Sequence, residues 1–297
     1  MGFEFTHRGG IERQVRSIAR EQIDKALLEC GQDGAEFGKL VHGLRRRCKK
    51  LRGLVRLIEP HFKQWKQENR AFGDAADVLS GTRDAAVQVE TFAHVLAFDA
   101  RRDSGARIDA EHGAALMQWL ESGLGQAPAA AERARLPADF ATLLKAARKR
   151  TKDWSLSGRG FDQIGDGLER TYRRMRDGLA SVEAAQTAEA LHAWRKDCKY
   201  HWHHVSLLLP TAPDLLRSRK AAIDRLGEML GDHHNLAVLD ETLATHDAVA
   251  TAREVIAERQ AVLAFDALEL GRQLTAEKPT KLLDRFEQYW SLLPGRS

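Results

Sequence analysis

Between Val41 and Ile58 the chain has no acidic residue, yet His42, Arg45, Lys49, Arg52 and Arg56 recur there at spacings of three and four. Arg46, Arg47 and Lys50 widen the charged surface. On an α-helix such a spacing stacks the side chains along one face, and His42 to Arg56 would make a stripe about 21 Å long. Stacked like charges destabilise a helix by roughly 0.2–0.5 kcal/mol per pair, so a sustained one-sign stripe implies an anionic counterpart, either within the protein or outside it. Arginine suits phosphate because its planar fork donates two hydrogen bonds while staying charged.

The same pattern returns 150 positions later. His192, Arg195, Lys196 and Lys199 repeat His42, Arg45, Arg46 and Lys49, and the two segments end at Pro60 and Pro210. A second block, Leu79 to Val87, pairs with Leu230 to Val238 at an offset of 151. Two blocks in nearly one register indicate an internal duplication. The copies are unequal, because Trp202 stands for Arg52 and Ser206 for Arg56. Basic residues also cluster around Tyr172, namely Arg170, Arg173, Arg174 and Arg176, and at Arg13, Arg16 and Arg20. The run from Lys145 to Lys152 reads as an ordinary solvated face.

Twelve histidines raise the question of a metal. His201, His203 and His204 crowd one segment, and Asp232-His233-His234-Asn235 reads as a polar turn. Neither cluster has a His-x-x-x-His pair, and no HExxH or EF-hand pattern occurs. No metal and no cofactor is therefore expected, and His201, in the apolar phase of its helix, reads as a core histidine. His42 and His192 allow two readings, phosphate ligands or hydrogen bonds between helices, and their place at the head of each stripe favours the first. Neither sits by an obvious Ser or Cys nucleophile with an orienting acid, so no catalytic residue is expected.

The elements that must carry these residues are helical. Beside the first stripe runs an apolar one, Val41, Leu44, Cys48, Leu51, Val55 and Ile58, and Leu191, Trp194, Cys198, His201, Val205 and Leu208 repeat it. Helices are predicted near 11–29, 35–58, 64–80, 83–102, 109–123 and 133–151, then near 160–184, 187–209, 214–230, 233–247, 251–266 and 276–292. No sustained period-two alternation speaks for strands. The expected fold is all-α: two pseudo-twofold-related bundles of a duplicated four-helix type with additional helices, one over residues 8–153 and one over 160–292. A connection is expected from Gly125 to Pro137, and a hinge between the halves from Trp154 to Gly160. The chain has 297 residues and a net charge of only +4, so placement of charge matters more than its sum. No apolar run approaches the roughly 20 residues of a membrane span. Three cysteines without metal-site spacing read as thiols in a reducing cytoplasm, with Cys48 and Cys198 buried.

The two HxxR segments, the duplication and the helical plan together resemble the CHAD family, the conserved histidine α-helical domain, over roughly residues 8 to 292. The segment Thr171-Tyr172-Arg173-Arg174-Met175-Arg176 also resembles the family's basic helix ahead of the second histidine segment, and Asp84 and Asn235 take corresponding places. The resemblance implies a non-catalytic module that binds inorganic polyphosphate in a groove of basic helices and associates with polyphosphate granules. No ExExK signature of the triphosphatase domain fused to some members is found. The expected binding set is His42, Arg45, Arg46, Lys49, Arg52, Arg56, Tyr172, Arg173, Arg176, His192, Arg195, Lys196 and Lys199. Nucleic acid is the rival ligand, since its backbone attracts the same side chains, although the first stripe has no aromatic residue on which a base could stack. A third reading is a structural scaffold whose basic stripes are neutralised internally, and a metal-dependent phosphohydrolase is a less favoured alternative.

Overall fold

The computed structural model describes residues 2–32, 36–79, 84–123, 130–244, 246 and 249–295. The chain is all-helical, with no strand among the described residues. The helices are α1 (Ile11–Cys30), α2 (Phe37–Leu57), α3 (Trp65–Asp77), α4 (Asp84–Asp99), α5 (Ala110–Ser122) and α6 (Ala130–Arg150). They continue as α7 (Asp162–Ala185), α8 (Ala188–Leu208), α9 (Pro213–Leu243), α10 (Ala250–Thr275) and α11 (Pro279–Ser291). Short 3-10 turns at Glu59–His61 and Leu209–Thr211 follow α2 and α8, where Pro60 and Pro210 end the α-helical hydrogen bonding. Thr187 starts α8 by accepting a hydrogen bond from the Ala190 amide at 3.2 Å.

Helices α1, α2, α3 and α6 pack on one another, as do α7, α8, α9 and α10. Helix α2 joins the groups by packing on both α7 and α8, and α11 lies on α7. One buried apolar cluster runs through both groups, from Phe5 to Leu293. Helix α4 packs on α9 and α10, and α5 packs on α4, around a second cluster that includes Phe92, Val95, Leu116, Leu236 and Val255.

Three expectations about breaks are corrected. The polar turn expected at Asp232–Asn235 lies inside α9, which continues through it. Gly231 and a charged, histidine-rich stretch read as punctuation, but Leu230, Leu236 and Leu239 keep a helical apolar rhythm that packing enforces. Helix α10 runs on to Thr275, beyond the expected end near 266. Pro137 sits within α6, so the connection from Gly125 ends by Ala130. Residues 80–83 of the first repeated block and 124–129 of that connection lie outside the described residues. The segment Trp154 to Gly160 is irregular, with Gly158 and Gly160 at φ 75° and 56°.

Two glycines set how closely α2 meets the second group. A Cβ on Gly53 would lie 2.6 Å from the His203 Cβ, and one on Gly167 would lie 1.8 Å from the Leu57 carbonyl oxygen. No larger residue fits either contact without moving a helix. His204 fixes the first crossing by donating from Nε2 to the Gly53 carbonyl at 3.1 Å. That bond assigns the neutral tautomer, and burial holds the His204 pKa down at about 3.

Candidate anion-binding site

The apolar faces that aim both stripes are buried as expected. Val41, Leu44, Cys48, Leu51, Val55 and Ile58 are at most 1% exposed, and Trp194, Cys198, His201, Val205 and Leu208 are fully covered. The Trp194 indole donates to the Met175 carbonyl at 2.8 Å, which anchors α8 on α7. The Cys48 thiol is pushed by burial up to about 12, and the Cys198 thiol well above its ordinary value, so neither forms a thiolate at neutral pH.

With those faces fixed, the first stripe runs beside α3. Arg45 Nη1 donates to the Ala76 carbonyl at 3.3 Å, and Arg52 Nε donates to the Asn69 side-chain oxygen at 3.2 Å. Both partners are neutral, so they orient the guanidiniums without cancelling their charge. Arg46 is exposed and makes no ion pair among the described residues, while His42 and Lys49 are exposed on the same helix. Arg47 points the other way and is neutralised by Glu29 of α1 at 2.6 Å.

At the end of α2, Arg56 lies over the rings of Trp65 and Tyr200, 4.9 and 5.3 Å from their centroids. It donates to Glu59 at 2.8 Å. Arg170 and Arg174 of α7 reach the same carboxylate at 3.3 Å. Glu59 is therefore a buried carboxylate shared by three arginines, and the cluster keeps an excess of positive charge. Burial pushes the Glu59 carboxyl up, but hydrogen bonds and charge from Arg56 and Arg174 outweigh it and hold the group below the ordinary carboxylate range. Asp197 of α8 lies within electrostatic reach of Arg174, Arg56 and Lys196, and burial raises its pKa. These contacts carry the basic surface from α2 across α7 to α8.

The second stripe is more modest. Lys196 is exposed and makes no ion pair among the described residues, whereas Lys199 is tied to Asp224 of α9 at 3.1 Å. The Arg195 guanidinium packs over Gly231 of α9, and its buried Nε has no hydrogen-bond partner among the described residues. His192 stacks on His234 with ring centroids 4.1 Å apart. Burial, followed by the charges of His234, Lys196 and Arg195, pushes the His192 pKa down to about 4.

The basic helix ahead of the second stripe needs correction. Tyr172 is fully buried, and its hydroxyl donates toward the Leu274 and Glu277 carbonyls at 3.2 and 2.9 Å. It is a core residue and cannot touch a ligand on the surface. Arg173 is exposed and paired with Glu169 at 2.5 Å, and Arg176 makes no ion pair among the described residues. Sequence reasoning missed Glu59 and under-weighted Arg170 and Arg174. A lone acid before Pro60 carries no motif, and only the fold brings it under α7.

The histidine-rich segment of α8 is structural. His201 is fully buried, facing Tyr172 and lying 3.3 Å from the Arg219 guanidinium, and His203 and His204 fill the crossing with α2. Among the described residues no three His, Cys, Asp or Glu side chains converge as a metal-ligand set. No helix among them is long and apolar enough to cross a membrane.

Cationic side chains are thus ranged along two packed helices, α2 and α8, and among the described residues carboxylates neutralise them only in part. The CHAD domain family model matches residues 17–244, most of the chain, and the chain belongs to that family. A search of curated proteins returned no match.

Proposed function

We propose that this protein binds inorganic polyphosphate without catalysing its turnover, along the stripe on α2 and onward to α8. The observation that carries the reading is the acid-free face of α2, where Arg45, Arg46 and Arg52 make no ion pair among the described residues and are held by neutral partners or exposed. Membership of the CHAD family supports it. His42, Lys49, Arg56, Lys196 and Arg195 extend the track, with Arg170 and Arg174 added from α7. Association with polyphosphate granules in the cytoplasm follows as a further expectation of this reading.

Nucleic acid remains the rival, and the aromatic residues of α8 weigh against it. Trp202 has Lys220 and Lys199 4.6 and 5.6 Å from its ring centroid, and Tyr200 carries Arg56. Those rings are already engaged by the protein's own cations, so they make poor stacking platforms for bases. The test is a competition between long-chain polyphosphate and single-stranded DNA at several salt concentrations, repeated with Arg45, Lys49 and Arg52 changed to Glu. Polyphosphate should win and the triple variant should lose binding. Preference for DNA, or undiminished polyphosphate binding by the variant, overturns the proposal. Fluorescence localisation in polyphosphate-accumulating cells checks the granule expectation.

A further inference from the structure

A cavity of about 300 Å³ opens between α4, α9 and α10, away from the stripe on α2. Its size falls at the lower end of small-molecule sites, which span roughly 300–1,000 Å³. Charges of both signs line it: Glu90 from α4, Arg101 just beyond α4, Asp232 from α9 and Arg259 from α10. Val95, Leu236 and Leu263 supply an apolar floor.

What distinguishes this cavity is that its charges do not pair. Close by, opposite charges within reach do so: Arg102 bonds Asp99 and Glu258, each at 2.6 Å, and Arg253 bonds Asp240 at 2.7 Å. Glu90, Arg101, Asp232 and Arg259 make no ion pair among the described residues, although Asp232 lies within electrostatic reach of Arg259, Arg195 and His94. The Arg259 guanidinium lies instead over the Phe98 ring, 5.1 Å from its centroid. Asn235, one turn from Asp232 on α9, adds a neutral donor and acceptor. Two carboxylates would repel a polyphosphate, and two guanidiniums would repel a polyamine.

We propose that this cavity binds a small zwitterion of the α-amino acid class. Its ammonium faces Glu90 and Asp232, its carboxylate faces Arg259 and Arg101, and its side chain lies on the apolar floor. The site thereby accounts for the Asp232-His233-His234-Asn235 stretch of α9, whose outer residues line the cavity while His233 is buried.

Calorimetric titration of the full chain with individual proteinogenic amino acids at millimolar concentration tests this, with putrescine and succinate as single-sign probes. At least one amino acid should bind, and Asp232→Asn and Arg259→Gln should each weaken it about tenfold, as expected for a lost charged hydrogen bond. Both positions are at least partly exposed, and circular dichroism confirms that the variants fold. Absence of binding by every amino acid, binding unchanged in both variants, or preference for putrescine or succinate overturns the proposal. Polyphosphate titrated into the same variants reads out the stripe on α2 separately.

Discussion

The histidines of α8 share one fate despite different neighbours: each is held neutral. The pKa of His192 is lowered to about 4, and those of His203 and His204 to about 3, burial being the largest cause in every case. A histidine whose folded pKa lies below the unfolded value near 6.5 binds fewer protons in the native state, so stability rises with pH through that interval. Stability is full above 6.5 and falls as pH drops toward 4, each histidine contributing up to about 1.4 kcal/mol per pH unit. Urea unfolding at pH 7 and pH 5 should show the loss, and His192→Asn should shrink the difference. A flat profile would mean that these side chains titrate in the folded protein as they do in the unfolded chain. For binding the sign reverses. A phosphate beside His192 favours the imidazolium and raises its pKa from about 4, so polyphosphate affinity should increase as pH falls toward 4, and the increase should be smaller in His192→Asn. Glu59 provides the opposite experiment. Removing one partner of a charged hydrogen bond typically costs about 1.5–3 kcal/mol, and Arg170 and Arg174, 50% and 39% exposed, set the lower end here because water screens the charge left on them. Glu59→Gln should lower the unfolding free energy by a figure of that order. Saturating polyphosphate should then stabilise the variant more than the native protein, since the ligand returns negative charge to Arg56, Arg170 and Arg174.

At the scale of elements, the apolar periodicity was the legible part. The phases of α2 and α8 placed Val41, Leu44, Cys48, Trp194 and Val205 in the core, where they are. Breaks were harder to read, because local propensity competes there with packing that is invisible in a single segment. Gly231 and Pro137 both resemble helix ends, yet each lies inside a helix supported by its neighbours. The glycines that matter most were silent for the same reason. Gly53 looks like a mild flaw in α2, and Gly167 in α7, until the fold sets His203 and the Leu57 carbonyl against them. Gly167→Ala should destabilise the protein by about 3 kcal/mol or more, since the new methyl meets a backbone oxygen that no side-chain rotation can move aside. Thermal unfolding measures this. Ala at Gly178 is a gentler comparison, because its Cβ would meet the Trp194 ring edge at 2.7 Å and a side chain can yield. Tyr172 marks the limit of periodicity in the other direction: its basic neighbours suggested a surface, and the phase of its own position put it in the core.

Across the whole molecule, the two basic tracks are continuous in space but differ in strength, and the reasons lie in what each packs against. The first leans on α3, whose contributions to it are a backbone carbonyl at Ala76, the amide of Asn69 and the ring of Trp65. The second leans on α9, which supplies Asp224 to Lys199 and sets Asp232 near Arg195. One neighbour orients cations and the other partly neutralises them. Replacing Arg45 and Arg52 with Gln should therefore weaken polyphosphate binding more than replacing Arg195 and Lys196 with Gln. The salt dependence supplies the decisive readout, because each lost contact between a cation and a phosphate flattens the slope of log affinity against log salt by roughly one. The first pair of substitutions should flatten it by about two, and the second pair by less, since the half-buried Arg195 guanidinium packs against α9. Equal slopes for the two variants would mean that the anion straddles both tracks evenly, and the inequality argued from α3 and α9 would then be wrong.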